Sequence, residues 1–482
     1  QYMVFSSTEF LLLFLPLTLI IYFNPFFKGR KFRNYFLLLM SLGFYGWGEP
    51  LFLFVMIFSI FINWFFALQI DKQSDKAKRK RMLIPPIVFD ILLMFLFKYL
   101  AFTAKNIGWL FNTDLRLDIA LPIGISFFTF QIMSYVFDVY YRKARVQRNI
   151  LNVGLYISLF PQLIAGPIVR YETVADEIMN RRETRADITH GVIRFTYGLG
   201  KKVLLANYTA VIADNIFALS GEMSIGTAWL GIIAYALQIY FDFSGYSDMA
   251  IGLGLIFGFH FEENFNFPYA AYSVTDFWRR WHISLSTWFR DYVYIPLGGN
   301  RVSKPRWALN LLVVWTLTGI WHGANWTFIA WGLYYFVFLL AEKLLGYVRK
   351  STLLSRVYTV LVVLVGWVIF RSLSLDEAVR YIGVMFGIGA KGWSDNLFIY
   401  YYFGGKWVLI IAILFSLPVS ACARKLLSKF TALTSDAKGY GNPASSSALA
   451  EVLQAVPLII VFVLSLLASV NSSYNPFIYF NF

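Results

Sequence analysis

Phe277-Trp278-Arg279-Arg280-Trp281-His282-Ile283-Ser284-Leu285-Ser286-Thr287-Trp288-Phe289-Arg290-Asp291 is too polar to cross a membrane and too aromatic for an ordinary loop. Forty positions after His282 a second Trp-His pair stands in Leu317-Thr318-Gly319-Ile320-Trp321-His322-Gly323-Ala324-Asn325-Trp326. The chain has four histidines, His190, His260, His282 and His322, and two of them lie in these stretches. Between Thr275 and Tyr294 the polar residues return every three or four positions. Asp276, Arg279, Arg280, His282, Ser286 and Arg290 therefore fit one side of a helix, with Trp and Leu on the other. Asp276 ahead of Arg279 and Arg280 suits a helix start. The alternative is an interfacial helix with an aromatic belt and arginines on lipid phosphates.

The rest of the chain reads as membrane. Of 482 residues, 58% are hydrophobic, 20% aromatic and 14% charged, and the mean hydropathy is +0.60. A soluble domain carries roughly 25% charged residues. Apolar runs, most of them of about 18 or more residues and so enough to cross roughly 30 Å of hydrocarbon, recur near 4–24, 34–48, 51–70, 83–112, 118–140, 190–219, 226–259, 307–321, 327–342, 354–370, 399–421 and 451–470. Alternation of the β-barrel kind is not seen. The fold class expected is all-α and polytopic, with about 11–12 spans.

The net charge of +15 comes from basic clusters in short loops, at Lys28–Arg33, Lys72–Arg81, Arg142–Arg148, Lys343–Arg356 and Arg424–Lys429. Alternate connections lack them. This is topological information, and no nucleic acid need be invoked. It keeps the clusters cytoplasmic and both termini outside. Ile150–Ile168, broken by Pro161, Gly166 and Pro167, is expected to be re-entrant. Arg170–Asp187 should lie along the cytoplasmic surface, and 431–448 should form a flexible cytoplasmic loop. Gln1-Tyr2 reads as a cloning remnant ahead of a natural start at Met3, so that 3–482 is one membrane domain. A single cysteine, Cys422, excludes an internal disulfide, no cleavable signal is apparent, and no His/Asp/Glu spacing suits a metal.

Trp307–Trp321 spans about 22 Å as a helix, short of the bilayer. The Gly319–Asn325 turn should then be buried at depth, where an ionisable residue is costly and by default functional. A packing histidine satisfied by one hydrogen bond is the plain alternative. A neutral imidazole in a dry pocket can accept a proton at neutral pH, which suits deprotonation of an alcohol that attacks a thioester or ester. No G-x-S-x-G nucleophile elbow is present, so direct base catalysis by His is expected over an acyl-serine. Asp242 and Asp248 sit in an apolar run, where they either bind an ion, orient a catalytic His or cap helices around Gly245. Gly252, Gly254 and Gly258 point to close helix packing. Gly198-Leu199-Gly200-Lys201-Lys202 reads as a helix end.

Several blocks resemble the membrane-bound O-acyltransferase (MBOAT) family, in its bacterial branch of alginate and peptidoglycan O-acetylation. They are Met3-Val4-Phe5-Ser6-Ser7, Leu121–Phe127, Phe160–Pro167, Tyr240–Gly254, Asp276–Arg301, Gly319–Trp326 and Tyr474–Phe480. They follow one another along nearly the whole chain. The resemblance implies a ring of tilted helices around a thin centre pierced by a tunnel. It implies that His322 is the essential histidine and His282 the second. Around them, Trp321, Asn325, Trp278, Arg279, Arg280, Trp281, Ser286, Arg290, Asp291, Asp242 and Asp248 are candidates to bind the donor or support the histidines. It implies no tightly bound cofactor, acetyl-CoA as the donor, and basic loops for its phosphates. It further implies a bacterial inner-membrane location and transfer through an exported SGNH-like acetyltransferase to a polysaccharide. D-alanylation of teichoic acid is a lower-ranked alternative. A glycan transporter or flippase would need no base at His322, and a glycosyltransferase would need a Q-x-x-R-W glutamine that is lacking. The Tyr-rich tail after Asn471 is a candidate partner dock.

Overall fold

The computed structural model describes residues 3–219, 221–346, 351–419 and 448–471. Gln1-Tyr2, Cys422, the Arg424–Lys429 cluster, nearly all of the 431–448 loop and the tail after Asn471 lie outside the described residues. Every described element is a helix, as lipid requires of a chain that must satisfy its backbone polar groups internally. Among the described residues six helices are long and apolar enough to cross a membrane: Pro50–Lys72, Lys76–Leu110, Ile225–Ile256, Trp326–Leu345, Leu353–Arg371 and Asn396–Ser416. Phe10–Tyr22 and Ala455–Asn471 are shorter apolar helices. This is an all-α multi-pass membrane protein.

On Pro50–Lys72 the exposed side chains include Leu51, Phe54, Phe58 and Phe61, while the buried ones include Ser59 and Asn63 beside Met56, Ile60 and Ile70. Inside, the Asn63 amide donates to the buried Asp90 at 2.9 Å. Apolar surface costs nothing against lipid, so small and polar groups are what the helices share with one another.

Ile225–Ile256 is the spine. Its first half, from Leu230 to Phe241, joins one buried cluster with Trp278, Trp281, Trp331 and Trp367. Its second half, from Tyr246 to Ile256, joins another with Phe127, Trp288 and Trp321. The helix runs unbroken through Gly245, so Asp242 and Asp248 cap nothing there. They are ion-pair partners instead. Asp242 meets Lys202 at 2.7 Å with both side chains buried, and Asp248 meets Lys201 at 2.6 Å and Arg194 at 2.9 Å. Gly252 does serve close packing, since a Cβ there would lie 2.6 Å from the Gly191 carbonyl oxygen. The Gly198–Lys202 run is not a helix end. The Arg185–Gly200 helix passes directly into a π-turn, Lys201–Ala206, and on to Asn207–Phe217.

Arg170–Asp187 forms two short turns, Tyr171–Val174 and Glu177–Asn180, which bury Tyr171, Val174, Ile178 and Arg181 and leave Asp176, Met179, Asn180 and Arg182 exposed, the two-sided pattern of an amphipathic surface segment. Ile150–Ile168 is broken into Ile150–Ser158 and Phe160–Leu163 and buried along almost its whole length, as protein-shielded irregular backbone must be.

A candidate active site around two histidines

The Phe277–Asp291 stretch is not one helix. Ser273 caps Val274–Arg280 by accepting the Asp276 N–H. The chain then breaks at Trp281-His282 and resumes as Ile283–Phe289. His282 takes the left-handed conformation, φ 45° and ψ 54°, a region that L-residues enter at a cost of roughly 1–2 kcal/mol. The split expected from periodicity holds except at His282: Trp278, Trp281, Leu285 and Trp288 are buried, Asp276, Arg279, Arg280, Ser286 and Arg290 are not, and His282 at the break is buried with the tryptophans.

The break is held by Asn264. Asn264 Oδ1 accepts from Ser284 N at 3.2 Å and Ser284 Oγ at 2.9 Å, and it lies 3.2 Å from His282 Nδ1. Since Ser284 N–H only donates, Oδ1 is the acceptor and Nδ1 carries the proton. The imidazole is thereby fixed with Nε2 as its basic nitrogen, and Nε2 is buried without a partner.

His322 is the last residue of the Lys304–His322 helix, which ends where Gly323 turns to extended backbone. The hairpin to Trp326–Leu345 is tight because Gly319 and Gly332 face each other: a Cβ on Gly319 would lie 2.4 Å from the Phe328 oxygen. His322 is buried with Nδ1 unpartnered, edge-on to Trp321 at 5.0 Å, Trp331 at 5.0 Å and Phe370 at 5.1 Å. Trp321 also packs against His282 at 5.9 Å, so one indole separates the two imidazoles at the seam of the two clusters.

Two cavities adjoin them. One of about 20 Å³, bounded by Lys98, Gly124–Phe127, Ile164 and Trp321, opens on His322. This is room for about one water-sized group. The other, of about 90 Å³, is lined by Arg194, Lys201, Ser244, Ser247 and Asp248 and reaches Asn264. Asn264 Nδ2 and the Ser244 and Ser247 hydroxyls are buried without partners. Lys98 and Asn264 carry no motif in the sequence. Lys98 hides in an apolar run, where a lone cation passes as incidental.

His282, Trp321 and His322 come together, and Asp248 lines the larger cavity. Other candidates support from further off. Trp278 packs on Trp315 at 5.0 Å and Tyr335 at 4.8 Å, and Trp281 packs on Trp367 at 4.8 Å. Ser286 Oγ donates to the Trp278 carbonyl at 3.3 Å. Asn325 caps the Trp326–Leu345 helix through the Thr327 N–H. Arg280 pairs with Asp276 at 3.0 Å, and Asp291 with Arg170 at 2.7 Å and Arg290 at 2.7 Å. Asp242 stays with Lys202. Among the described residues no group of three His, Cys, Asp or Glu side chains is placed to hold a metal.

The multi-pass helical body with two histidines buried at its seam is that of a membrane acyltransferase by its family: the chain belongs to the membrane-bound O-acyltransferase family, whose model matches residues 42–373. Its relatives are bacterial. It is 39% identical to the probable alginate O-acetylase AlgI of Pseudomonas putida over all of both chains. It is 43% identical to that of Pseudomonas syringae pv. tomato, over 80% of this chain and 76% of the relative. It is also 35% identical to the peptidoglycan O-acetyltransferase of Helicobacter pylori, over 80% of each.

Proposed function

We propose that this enzyme O-acetylates a cell-surface or extracellular polysaccharide from the bacterial inner membrane, taking acetyl from acetyl-CoA on the cytoplasmic side, with His322 as general base. An exported acetyltransferase of the SGNH kind receives the acetyl group and delivers it to the glycan. The observation that carries this reading is His322 itself: a membrane-buried imidazole with an unpartnered nitrogen at the edge of a cavity. Burying such a group without use is expensive, and an acceptor hydroxyl within reach of it is what general-base acyl transfer needs. The larger cavity, with hydroxyl and amide groups awaiting partners, suits the amide-bearing arm of the thioester donor. His282, fixed by Asn264, supports the donor beside it. An alginate-like exopolysaccharide is the first choice of acceptor because that relative matches end to end; peptidoglycan is the second.

Proteoliposomes supplied with labelled acetyl-CoA, the partner and candidate glycans test this. Wild type should transfer label and His322→Ala at matched protein level should lose at least a hundredfold, within the ~10²–10⁴-fold range of general acid–base catalysis. Equal labelling by the variant would make His322 a packing residue and remove the proposal.

A further inference from the structure

Lys98 lies in the middle of the Lys76–Leu110 span and is 8% exposed. It sits on a π-turn, Phe95–Tyr99, a local widening that often marks functional positions. Its Nζ donates to Ser126 Oγ at 2.9 Å and to the Trp321 carbonyl at 2.5 Å. The next residue, Tyr99, donates to the Ile320 carbonyl at 2.8 Å. The two side chains thus hold the carbonyls just ahead of His322, where a helix end leaves them without intrahelical partners. Tyr99 does this with a neutral hydroxyl. A neutral donor would have served at 98 as well, yet the chain places a lysine there, and no carboxylate pairs with it among the described residues. An unneutralised buried charge is among the most costly features a fold can carry.

The missing negative charge belongs in the small cavity. Lys98 and His322 line it together with Gly124–Phe127, and Gly124, in the left-handed conformation at φ 73°, is the N-cap of the Ile125–Tyr140 helix. The positive end of that 16-residue helix therefore faces the same space as the ammonium. Lys98 has three N–H groups, of which the two hydrogen bonds use two.

We propose that Lys98 is a catalytic residue: with the N-terminus of the Ile125–Tyr140 helix it forms the oxyanion hole for acyl transfer at His322. This rests on the His322 reading above. The acceptor oxygen attacks the thioester carbonyl carbon while its proton passes to His322. The carbonyl pair moves onto oxygen, where the third Lys98 N–H and the helix end hold it. The pair returns, the C–S bond breaks, and the departing sulfur takes the proton from His322.

The test is steady-state transfer by the full-length enzyme in proteoliposomes, comparing wild type, Lys98→Met, Lys98→Gln, Lys98→Arg and Tyr99→Phe. Removing an oxyanion donor costs roughly 10²–10³ in kcat. Lys98→Met should lose that in kcat with KM for acetyl-CoA within about threefold, and Lys98→Arg should recover part of it. Tyr99→Phe, which breaks the same clamp without removing charge, should lose less than tenfold. Lys98→Gln, which keeps a neutral donor, gives the same kcat comparison if the Met variant does not elute as a single folded species. A Lys98→Met or Lys98→Gln kcat within tenfold of wild type, while His322→Ala is inactive, overturns the proposal and leaves the His322 reading intact. So does an equal loss in Tyr99→Phe, which would make Lys98 only a clamp. Transfer unaffected by His322→Ala sinks both.

Discussion

Replacing Gly319 by Ala should uncouple activity from folding. The new Cβ would sit 2.4 Å from the Phe328 oxygen, where ordinary contact begins near 3.4 Å. The obstacle is backbone, so the Lys304–His322 and Trp326–Leu345 helices must part by the difference, about 1 Å. His322 lies three residues beyond, at the end of the displaced helix. A misplacement of about 1 Å can cost on the order of 100-fold in rate, whereas overpacking of this kind costs about 1–3 kcal/mol in stability. Gly319→Ala should therefore stay inserted and folded, melt a few degrees lower and transfer acetyl roughly 100-fold more slowly. Gly332→Ala meets the Trp315 oxygen at 2.4 Å across the same seam and should do likewise. Because one separation relieves both clashes, the double variant should lose less than the product of the two. The assay is acetyl transfer at matched membrane level, with thermal melting in detergent as the fold control. A folded Gly319→Ala with wild-type turnover would refute the claim that this crossing positions His322.

Two further outcomes follow from the packing. Glu183 accepts from Tyr22 at 2.5 Å, Arg30 at 2.6 Å and Arg33 at 2.8 Å. Burial alone would raise its pKa, but the bonds from Arg30 and Tyr22 outweigh it and bring the carboxyl from 4.5 to about 2. A lowered carboxyl pKa stabilises above the unfolded value and loses its effect as pH falls toward the folded one. Its contribution, reduced by solvent screening, should thus be full above pH 4.5 and vanish as pH falls toward 2. Glu183→Gln should lack that dependence; identical melting curves for both proteins from pH 6 to 3 would contradict this. At His282, Gly relieves the left-handed strain and Ala does not, while both remove the imidazole. His282→Gly should be more stable than His282→Ala by about 1 kcal/mol and equally impaired in transfer, as denaturant melts and the acetyl assay would show; an Ala variant of equal or greater stability would mean the strain is absorbed elsewhere.

The membrane class was legible because it depends on bulk composition, and the Trp-His pairs because four histidines in 482 residues make two such placements conspicuous. Local geometry was harder to read. A periodic pattern over Thr275–Tyr294 is also satisfied by two shorter helices of different axis. One left-handed residue at His282 puts that side chain among the buried tryptophans while its neighbours keep the sides the pattern gives them. The spacing of Asp242 and Asp248 gave no hint that each faces a cation on the neighbouring helix, because that pairing is set by the glycine-mediated approach of two helices.

Lys98 and Asn264 show the deeper limit. Neither belongs to a motif, and each acts on a group outside its own element: Lys98 on Trp321, far along the chain, and Asn264 on His282, at the interruption between two helices. Lys98 reaches the Trp321 carbonyl and Tyr99 the Ile320 carbonyl from a π-turn, where the helix is locally widened. A single extra residue per turn is invisible to hydropathy, so nothing in the apolar run marks the contact between Lys98 and the Trp321 carbonyl.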